Sequence, residues 1–464
     1  MFSSVLIANR GEIALRIVRT CRELGIRTVV VHSAADRDSA AARLADETVQ
    51  IGLARARSSY LNAFAIVQAA LQTGVEAIHP GYGFLSEDAD FAEACARHGL
   101  VFVGPPAEVL ALLGDKSQAR QVAAAAGLPI IPGSPRACGT TTEAKQIADE
   151  LGYPVITKAA AGGGGRGMKV VRDPRTFSRS YREARAMARA VFGDGRTYVE
   201  KFIETARHIE IQILADSHGD VVHLGERDCS VQRNRQKLIE ETPAPGLTDD
   251  LRARIAAAAV TCARASGYVG AGTFEFLVDQ DGSFYFMEAN CRIQVEHPVS
   301  ELVTGLDLVR EQFAIAAGER LSVTQSTLER RGMAIECRVN VEDPERGFLP
   351  TPGVLEEFQP PAGPFTRVDT HGRPGLRITE NYDSLLAKVA VWAPDRDQAI
   401  ARMERALSEF RVSGHGVHTT IGFLCEVLGH PMFRDAKHTT SLVEQMISAR
   451  PGQPTGPERE RRSR

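Results

Sequence analysis

The chain has 464 residues, 43% of them hydrophobic and 24% charged, which fits a folded globular protein and excludes disordered and collagen-like classes. That length exceeds what one core supports, so about two to four folding units are expected. With 55 basic against 58 acidic side chains the formal net charge is -3, so no global basic footprint points to nucleic acid or membrane, although a local Arg and Lys cluster could still hold a small anion.

Met1 to Ser4 lead straight into the apolar run Val5 to Ala8 without a cationic leader, and no stretch reaches the roughly 20 apolar residues of a membrane span. A cytoplasmic chain is the expectation. The Cys residues, among them Cys21, Cys95, Cys138, Cys229 and Cys291, are scattered without a CxxC pair, which suits free thiols in a reducing compartment and argues against zinc.

Residues 1–113 read as alternating strand and helix. Strands are expected at Val5 to Ala8, Thr28 to His32, Val49 to Ile51, Ala77 to His79 and Val101 to Val103, and helices at Glu12 to Leu24, Leu61 to Leu71 and Asp88 to Arg97. This repetition predicts a largely parallel, Rossmann-like sheet covered by helices. The first turn, Ala8-Asn9-Arg10-Gly11-Glu12, lacks the Gly-x-Gly-x-x-Gly series, and Asp36 alone does not rescue a dinucleotide site.

A helical linker at 114–130 leads to a small unit at 131–204. Strands are expected there at Val155 to Lys158, Met168 to Val171 and Thr197 to Phe202, with a helix at Thr176 to Phe192. Between the first two strands lies Lys158-Ala159-Ala160-Ala161-Gly162-Gly163-Gly164-Gly165-Arg166-Gly167. Consecutive glycines leave N–H groups unobstructed at an entropic cost that a structural turn would not need. No Gly-Lys-Ser/Thr ends the run, so it reads as a hairpin lid over phosphates, with Lys158 supplying charge, and not as a Walker A loop.

Antiparallel signals follow at 205–330. His208 to Ala215 pairs with Val221 to Leu224, and Gly272 to Val278 with Ser283 to Glu288, across the turns Asp216 to Asp220 and Asp279 to Ser283. Glu275 and Glu288 can meet across their strands; with the amide oxygen of Asn290 they make a hard oxygen site suited to Mg2+, the alternative being that both are paired with Arg or Lys. If Arg292 to Glu296 is extended, Arg292, Gln294 and Glu296 share one face while Ile293 and Val295 pack on the other. Glu200-Lys201-Phe202-Ile203 ends a strand at a domain junction, where an adenine could sit. A helix is expected at Leu302 to Ala317. Residues 331–446 carry strands at Ala334 to Val341 and Leu385 to Trp392 and a helix at Arg396 to Phe410, and 447–464 reads as a disordered tail.

These residues resemble the biotin carboxylase family of ATP-grasp enzymes from Met1 to about Glu444. The resemblance rests on motifs in family order: Ile7-Ala8-Asn9-Arg10-Gly11-Glu12-Ile13-Ala14, His79 to Glu87, the glycine loop, Glu226 to Arg233, Arg292 to Pro298, and Tyr382 to Lys388. It implies an α/β and α+β architecture: an N-terminal pre-ATP-grasp domain, an ATP-grasp lid and core, and a C-terminal mixed antiparallel domain packed with the core.

By the resemblance, Lys116, Lys158, Gly163, Gly164 and Gly165 face ATP phosphates; Glu200, Lys201 and Ile203 match the adenine segment; and His208, Gln232, Arg235 and Leu277 complete the nucleotide pocket. Glu275, Glu288 and Asn290 match the metal site, where two Mg2+ are expected and Mn2+ can substitute. Lys237, Arg292, Gln294, Val295 and Glu296 line the bicarbonate site, Arg338 faces the biotin ureido oxygen, and Tyr82 and Gly83 lie near the biotin ring.

The implied reaction has Glu296 deprotonate bicarbonate, which attacks the γ-phosphate of ATP to give carboxyphosphate. This decomposes to carbon dioxide and phosphate; the phosphate takes the ureido proton and Arg338 stabilises the resulting oxyanion. A carboxylate can accept a proton, whereas Arg stays charged at neutral pH. Catalytic roles therefore fall on Glu296, Arg338, Arg292 and Lys237. No Met-Lys-Met acceptor occurs, so the implied partners are a separate biotin carrier protein, a carboxyltransferase subunit and a second copy of the chain. Ala161, Asn234, Arg235, Ala289 and Cys291 depart from the usual family residues, which implies altered rate or affinity. Two rivals remain: another ATP-grasp ligase, and a non-catalytic assembly subunit.

Overall fold

A computed structural model of the chain describes residues 1–160 and 168–450. Ala161, the glycines Gly163, Gly164 and Gly165, and the tail from 451 onward lie outside the described residues.

The N-terminal strands Ser4–Ile7, Arg27–Ser33, Glu47–Gly52, Ala77–His79 and Val101–Phe102 form one parallel sheet in the order third, second, first, fourth, fifth. Alternate residues enter two cores. Val5, Ile7 and Val30 pack with the helix Gly11–Glu23, and Leu6, Val29, Val31 and Ile78 pack with the helix Ala63–Thr73. Burial on both faces explains the uninterrupted apolar runs. The chain leaves the fourth strand through Gly81 at φ 64, where a Cβ would meet the Asn9 amide nitrogen at 2.9 Å.

The expected linker contains the helix Lys116–Ala125, capped by Asp115, whose side chain accepts from the Ser117 and Gln118 N–H groups. Beyond it, Lys169–Val171, Val155–Ala159 and Thr197–Lys201 form a three-stranded antiparallel sheet in that spatial order. Helices Thr141–Leu151 and Phe177–Phe192 cover it around Val155, Val171, Phe177, Tyr181 and Val199. The first of these helices was not among the sequence expectations, although Thr140 caps it by accepting from the Glu143 N–H.

An eight-stranded antiparallel sheet dominates the remainder. Its spatial order is Phe284–Asn290, Gly270–Val278, Arg207–Ala215, Val221–Arg233, Gln236–Thr242, Met333–Asn340, Leu385–Ala393, Thr366–Thr370. Pairing of Gln236–Thr242 with Met333–Asn340 makes the expected core and C-terminal domains halves of one sheet.

Four boundaries differ from expectation. The strand placed at Val221 to Leu224 runs to Arg233, because Gly225 at φ 94 sits at a bulge that the ladder passes through. The helix placed at Leu302 to Ala317 is two, His297–Thr304 and Leu308–Ala316, separated by Gly305 at φ 75 and restarted by Asp307, which accepts from the Arg310 N–H. Arg292 to Glu296 is not a strand; Glu296 is already the N-cap of the helix His297–Thr304. The tail cannot begin at residue 447, since the last helix runs Leu442–Ser448, Ile447 is buried in the C-terminal core, and Arg450 pairs with Glu345 and Glu426 at 2.8 and 2.6 Å.

Among the described residues no helix is long and apolar enough to cross a membrane, and all eight Cys are unpaired thiols.

Candidate active site

Three adjacent strands bring acidic residues into one row. Glu275 lies opposite Glu210 on one side and Glu288 on the other, while Leu277 lies opposite His208 and Asn290 opposite Thr273. Like charges facing each other across a sheet destabilise it unless cations intervene. Lys237 supplies the main one, donating to Glu210 at 2.5 Å, Glu275 at 2.9 Å and Glu296 at 2.6 Å. Arg227, wholly buried, donates to the other oxygen of Glu210 at 2.6 Å, and His208 Nε2 lies 2.9 Å from Glu275.

Burial opposes ionisation of these glutamates, and their cations outweigh it. Glu210 is held down at about 2 by Lys237 and Arg227, and Glu275 at about 2 by Lys237 and His208. For the cations, burial pulls the other way and the carboxylates win: Lys237 is raised well above its ordinary value by Glu210, Glu275 and Glu296, and His208 is raised by Glu275.

On the side toward the small three-stranded unit, Lys116 donates to Glu288 at 2.5 Å. Burial again opposes Glu288, but Lys116 and then Lys158 hold it at about 2. Glu275 and Glu288 are thus both paired with lysines, the alternative that the sequence left open, and Asn290 turns its amide nitrogen to Glu275 at 2.8 Å while its oxygen accepts from Arg292. Lys158 reaches Glu200 at 2.5 Å, and Arg120 pairs with the same carboxylate. Glu200 therefore spends its side chain on holding strand and helix together. Lys201 donates to the Gly152 carbonyl at 2.9 Å, and Ile203 follows its strand end, half-buried. Gln232 is buried and lies opposite Lys237 in the ladder. Arg235 and Asn234 occupy the two-residue turn between these strands at φ 65 and 48.

Arg292 fans its donors over the other side: Nε to Glu87 at 2.9 Å, Nη1 to Gln294 at 2.7 Å and Nη2 to Asn290 at 3.1 Å. Gln294 in turn donates to Glu275 at 3.2 Å. Glu296 is wholly buried and bridged between Lys237 and Arg338, the latter at 2.8 Å, while Arg338 Nε donates to Glu240 at 2.6 Å. Burial and Glu210 push the Glu296 carboxyl up, but Lys237, Arg338 and Arg227 hold it below its ordinary value. The Val295 carbonyl accepts from buried Lys388 at 2.8 Å, and His297 Nδ1 lies 2.8 Å from the Gln294 carbonyl, closing the turn. Tyr82 donates its hydroxyl to Glu12, and its carbonyl accepts from Asn9 at 2.8 Å; Gly83 continues this turn at φ 68.

The chain that carries this arrangement is similar to known proteins over 96% of its length. Family models described as "Biotin carboxylase, N-terminal domain", "Carbamoyl-phosphate synthase L chain, ATP binding domain" and "Biotin carboxylase C-terminal domain" match residues 1–110, 115–324 and 336–445. The biotin carboxylase of Nostoc sp. is 53% identical over 445 residues, 96% of this chain and 99% of that one. The chain belongs to the biotin carboxylase family. A biotin carboxylase structure from Campylobacter jejuni, in complex with β,γ-ATP, superposes with a TM-score of 0.93 at 47% identity, covering 96% of this chain and 99% of that chain. The biotin carboxylase domain dimer of the Hydrogenobacter thermophilus 2-oxoglutarate carboxylase, in complex with MgADP, ADP and bicarbonate, gives 0.93 at 46% identity, covering 96% and 98%.

As a biotin carboxylase-family chain it is an ATP-grasp ligase, and it carries more site residues than sequence reasoning singled out. Glu210, Arg227, Glu240, Glu87 and Arg120 were all missed. The alternation His208-Ile209-Glu210-Ile211-Gln212 was the available signal for Glu210, since it puts three polar groups on one strand face. Ala289 and Cys291 are buried in the apolar cluster beneath the sheet.

Proposed function

We propose that this chain carboxylates biotin on a separate carrier protein, consuming ATP and bicarbonate through carboxyphosphate, as the first half-reaction of acetyl-CoA carboxylase or a related acyl-CoA carboxylase. The observation that carries this reading is Glu296, buried and gripped between Lys237 and Arg338, with the Arg292 fan beside it. A bicarbonate lying against Lys237, Arg292 and Arg338 becomes a stronger acid, and Glu296, held ionised, is the group able to take its proton. Arg338, fixed by Glu240, then faces the oxygen on which the biotin ureido ring develops negative charge, as a preorganised donor should.

Glu275, Glu288 and Asn290 are the hard oxygen donors suited to Mg2+, singly or as a pair of ions, with Mn2+ as a substitute. The metal would draw charge from the transferring phosphate oxygens. Lys116 and Lys158 are the cations for those phosphates, with His208, Gln232, Arg235, Leu277, Lys201 and Ile203 around the nucleotide and Gly163, Gly164 and Gly165 as its lid. Tyr82 and Gly83 receive the biotin ring, and Gln294 and Val295 complete the bicarbonate site. A homodimer, working in the cytoplasm with a carrier and a carboxyltransferase subunit, completes the reading.

The test is ADP release from Mg2+ and ATP with and without bicarbonate and free biotin. Release should require bicarbonate and rise with biotin. An ATPase indifferent to bicarbonate, or unmoved by biotin and by a biotinylated carrier alike, would reject the proposal.

A further inference from the structure

The loop from His79 to Glu87 carries Tyr82 and Gly83 and ends in a carboxylate to which nothing above gives a task. Its neighbour Asp88 caps the following helix by accepting from the Phe91 N–H. Glu87 instead crosses to the segment after Asn290. One of its oxygens accepts the Cys291 backbone N–H at 2.9 Å, and the other accepts Arg292 Nε at 2.9 Å.

These two bonds act on successive residues and in different ways. The bond to the Cys291 N–H fixes the backbone from which Arg292 springs. The bond to Nε fixes the plane of the guanidinium, because Nε sits on one edge of a rigid fork. With Nε taken, the Nη1 and Nη2 end of the fork is left for other partners, here Gln294 and Asn290. An arginine without this grip would have to order a flexible side chain each time it met an anion. The pair is also partly exposed, with the Glu87 side chain 37% accessible, so its direct contribution to folding is small. Its geometry suits orientation better than stabilisation.

We propose that Glu87 is a positioning residue for bicarbonate, gripping the Nε edge of Arg292 and the Cys291 N–H so that the Nη edge of Arg292 faces the anion. The inference rests on the reading of Arg292 as a bicarbonate ligand. Glu87 touches no reacting atom and acts only through Arg292.

Two variants of the full chain test it by bicarbonate-dependent ADP release in the presence of biotin. Glu87→Ala removes both bonds; Glu87→Gln keeps the shape but has one acceptor oxygen, so it turns an N–H on either Cys291 or Arg292. Each should raise the KM for bicarbonate by about tenfold while the KM for ATP stays within about twofold of the parent. An unchanged bicarbonate KM in Glu87→Gln, or an equal rise in both KM values, overturns the inference. If Glu87→Ala fails to fold, the glutamine variant decides alone. A parent chain whose ADP release ignores bicarbonate would sink the proposed function itself, whereas a bicarbonate-dependent parent with indifferent variants sinks only the role of Glu87.

Discussion

On the side toward the small three-stranded unit each lysine holds a single carboxylate: Lys116 on its helix meets Glu288 on the edge strand, and Lys158 meets Glu200 on the neighbouring strand of the small unit. On the other side one lysine, Lys237, holds Glu210, Glu275 and Glu296 together from the middle of the large sheet. The Glu288 carboxylate is a quarter exposed, whereas those of Glu210 and Glu296 are wholly buried. The Lys116–Glu288 pair joins separate elements at a partly exposed edge and is cheap to break, whereas Glu200 is buried and held by Arg120 as well as Lys158. The buried knot, in which sheet residues hold the helix-capping Glu296, cannot rearrange cheaply.

Breaking the knot should therefore do the most damage. Lys237→Gln leaves three buried carboxylates without their shared cation and should lower folding stability by about 3–5 kcal/mol, while Lys116→Gln should lower it by only about 1–2 kcal/mol. Urea unfolding of the two variants checks this, and equal losses would erase the distinction drawn between the two sides.

Glu296→Gln keeps the shape of the knot but cannot accept the proton. Biotin-stimulated ADP release should fall by about 10²–10⁴-fold with the KM for ATP little changed. A near-normal rate would move the base elsewhere.

Acid gives a gentler probe of both sides together. Glu210, Glu275 and Glu288 titrate at about 2 in the folded chain against an ordinary 4.5, so the folded state binds fewer protons in that interval. Their contribution is present above about pH 4.5 and is lost as pH falls toward about 2. Urea midpoints measured down this range should decline, and less steeply in Lys237→Gln, where the main cation lowering Glu210 and Glu275 is gone.

The smallest effect belongs to the turn beside the knot. Asn234 and Arg235 both have positive φ, as a two-residue hairpin turn requires, and arginine is poorly suited to that conformation. Arg235→Gly should stabilise the chain by about 1 kcal/mol, read as a higher urea midpoint. A lower midpoint would mean that the contacts of this side chain outweigh the backbone strain.

Local patterns disclosed much of the frame. Every expected strand of the N-terminal sheet has its counterpart, and the three inner ones, buried on both faces, write unbroken apolar runs into the sequence. The pairing of Glu275 with Glu288 was legible because the turn between their strands is short. Misreadings came where a local signal was ambiguous: Gly225 resembled the end of a strand and is a bulge within one, and Gly305 was passed over inside an apolar periodic run although it ends a helix.

By itself, then, the sequence determined the parallel N-terminal sheet, the two-glutamate hairpin and, through motifs in family order, the family. Only the tertiary structure decided who holds whom. Glu87 and Arg292 lie 205 residues apart, Lys116 and Glu288 172 apart, and Arg338 on its strand meets Glu296 at the start of the helix His297–Thr304. Spacing along a chain encodes periodicities of two and 3.6 residues. Which buried charges neutralise one another is set by strand order and register, and these become fixed only when the sheet assembles.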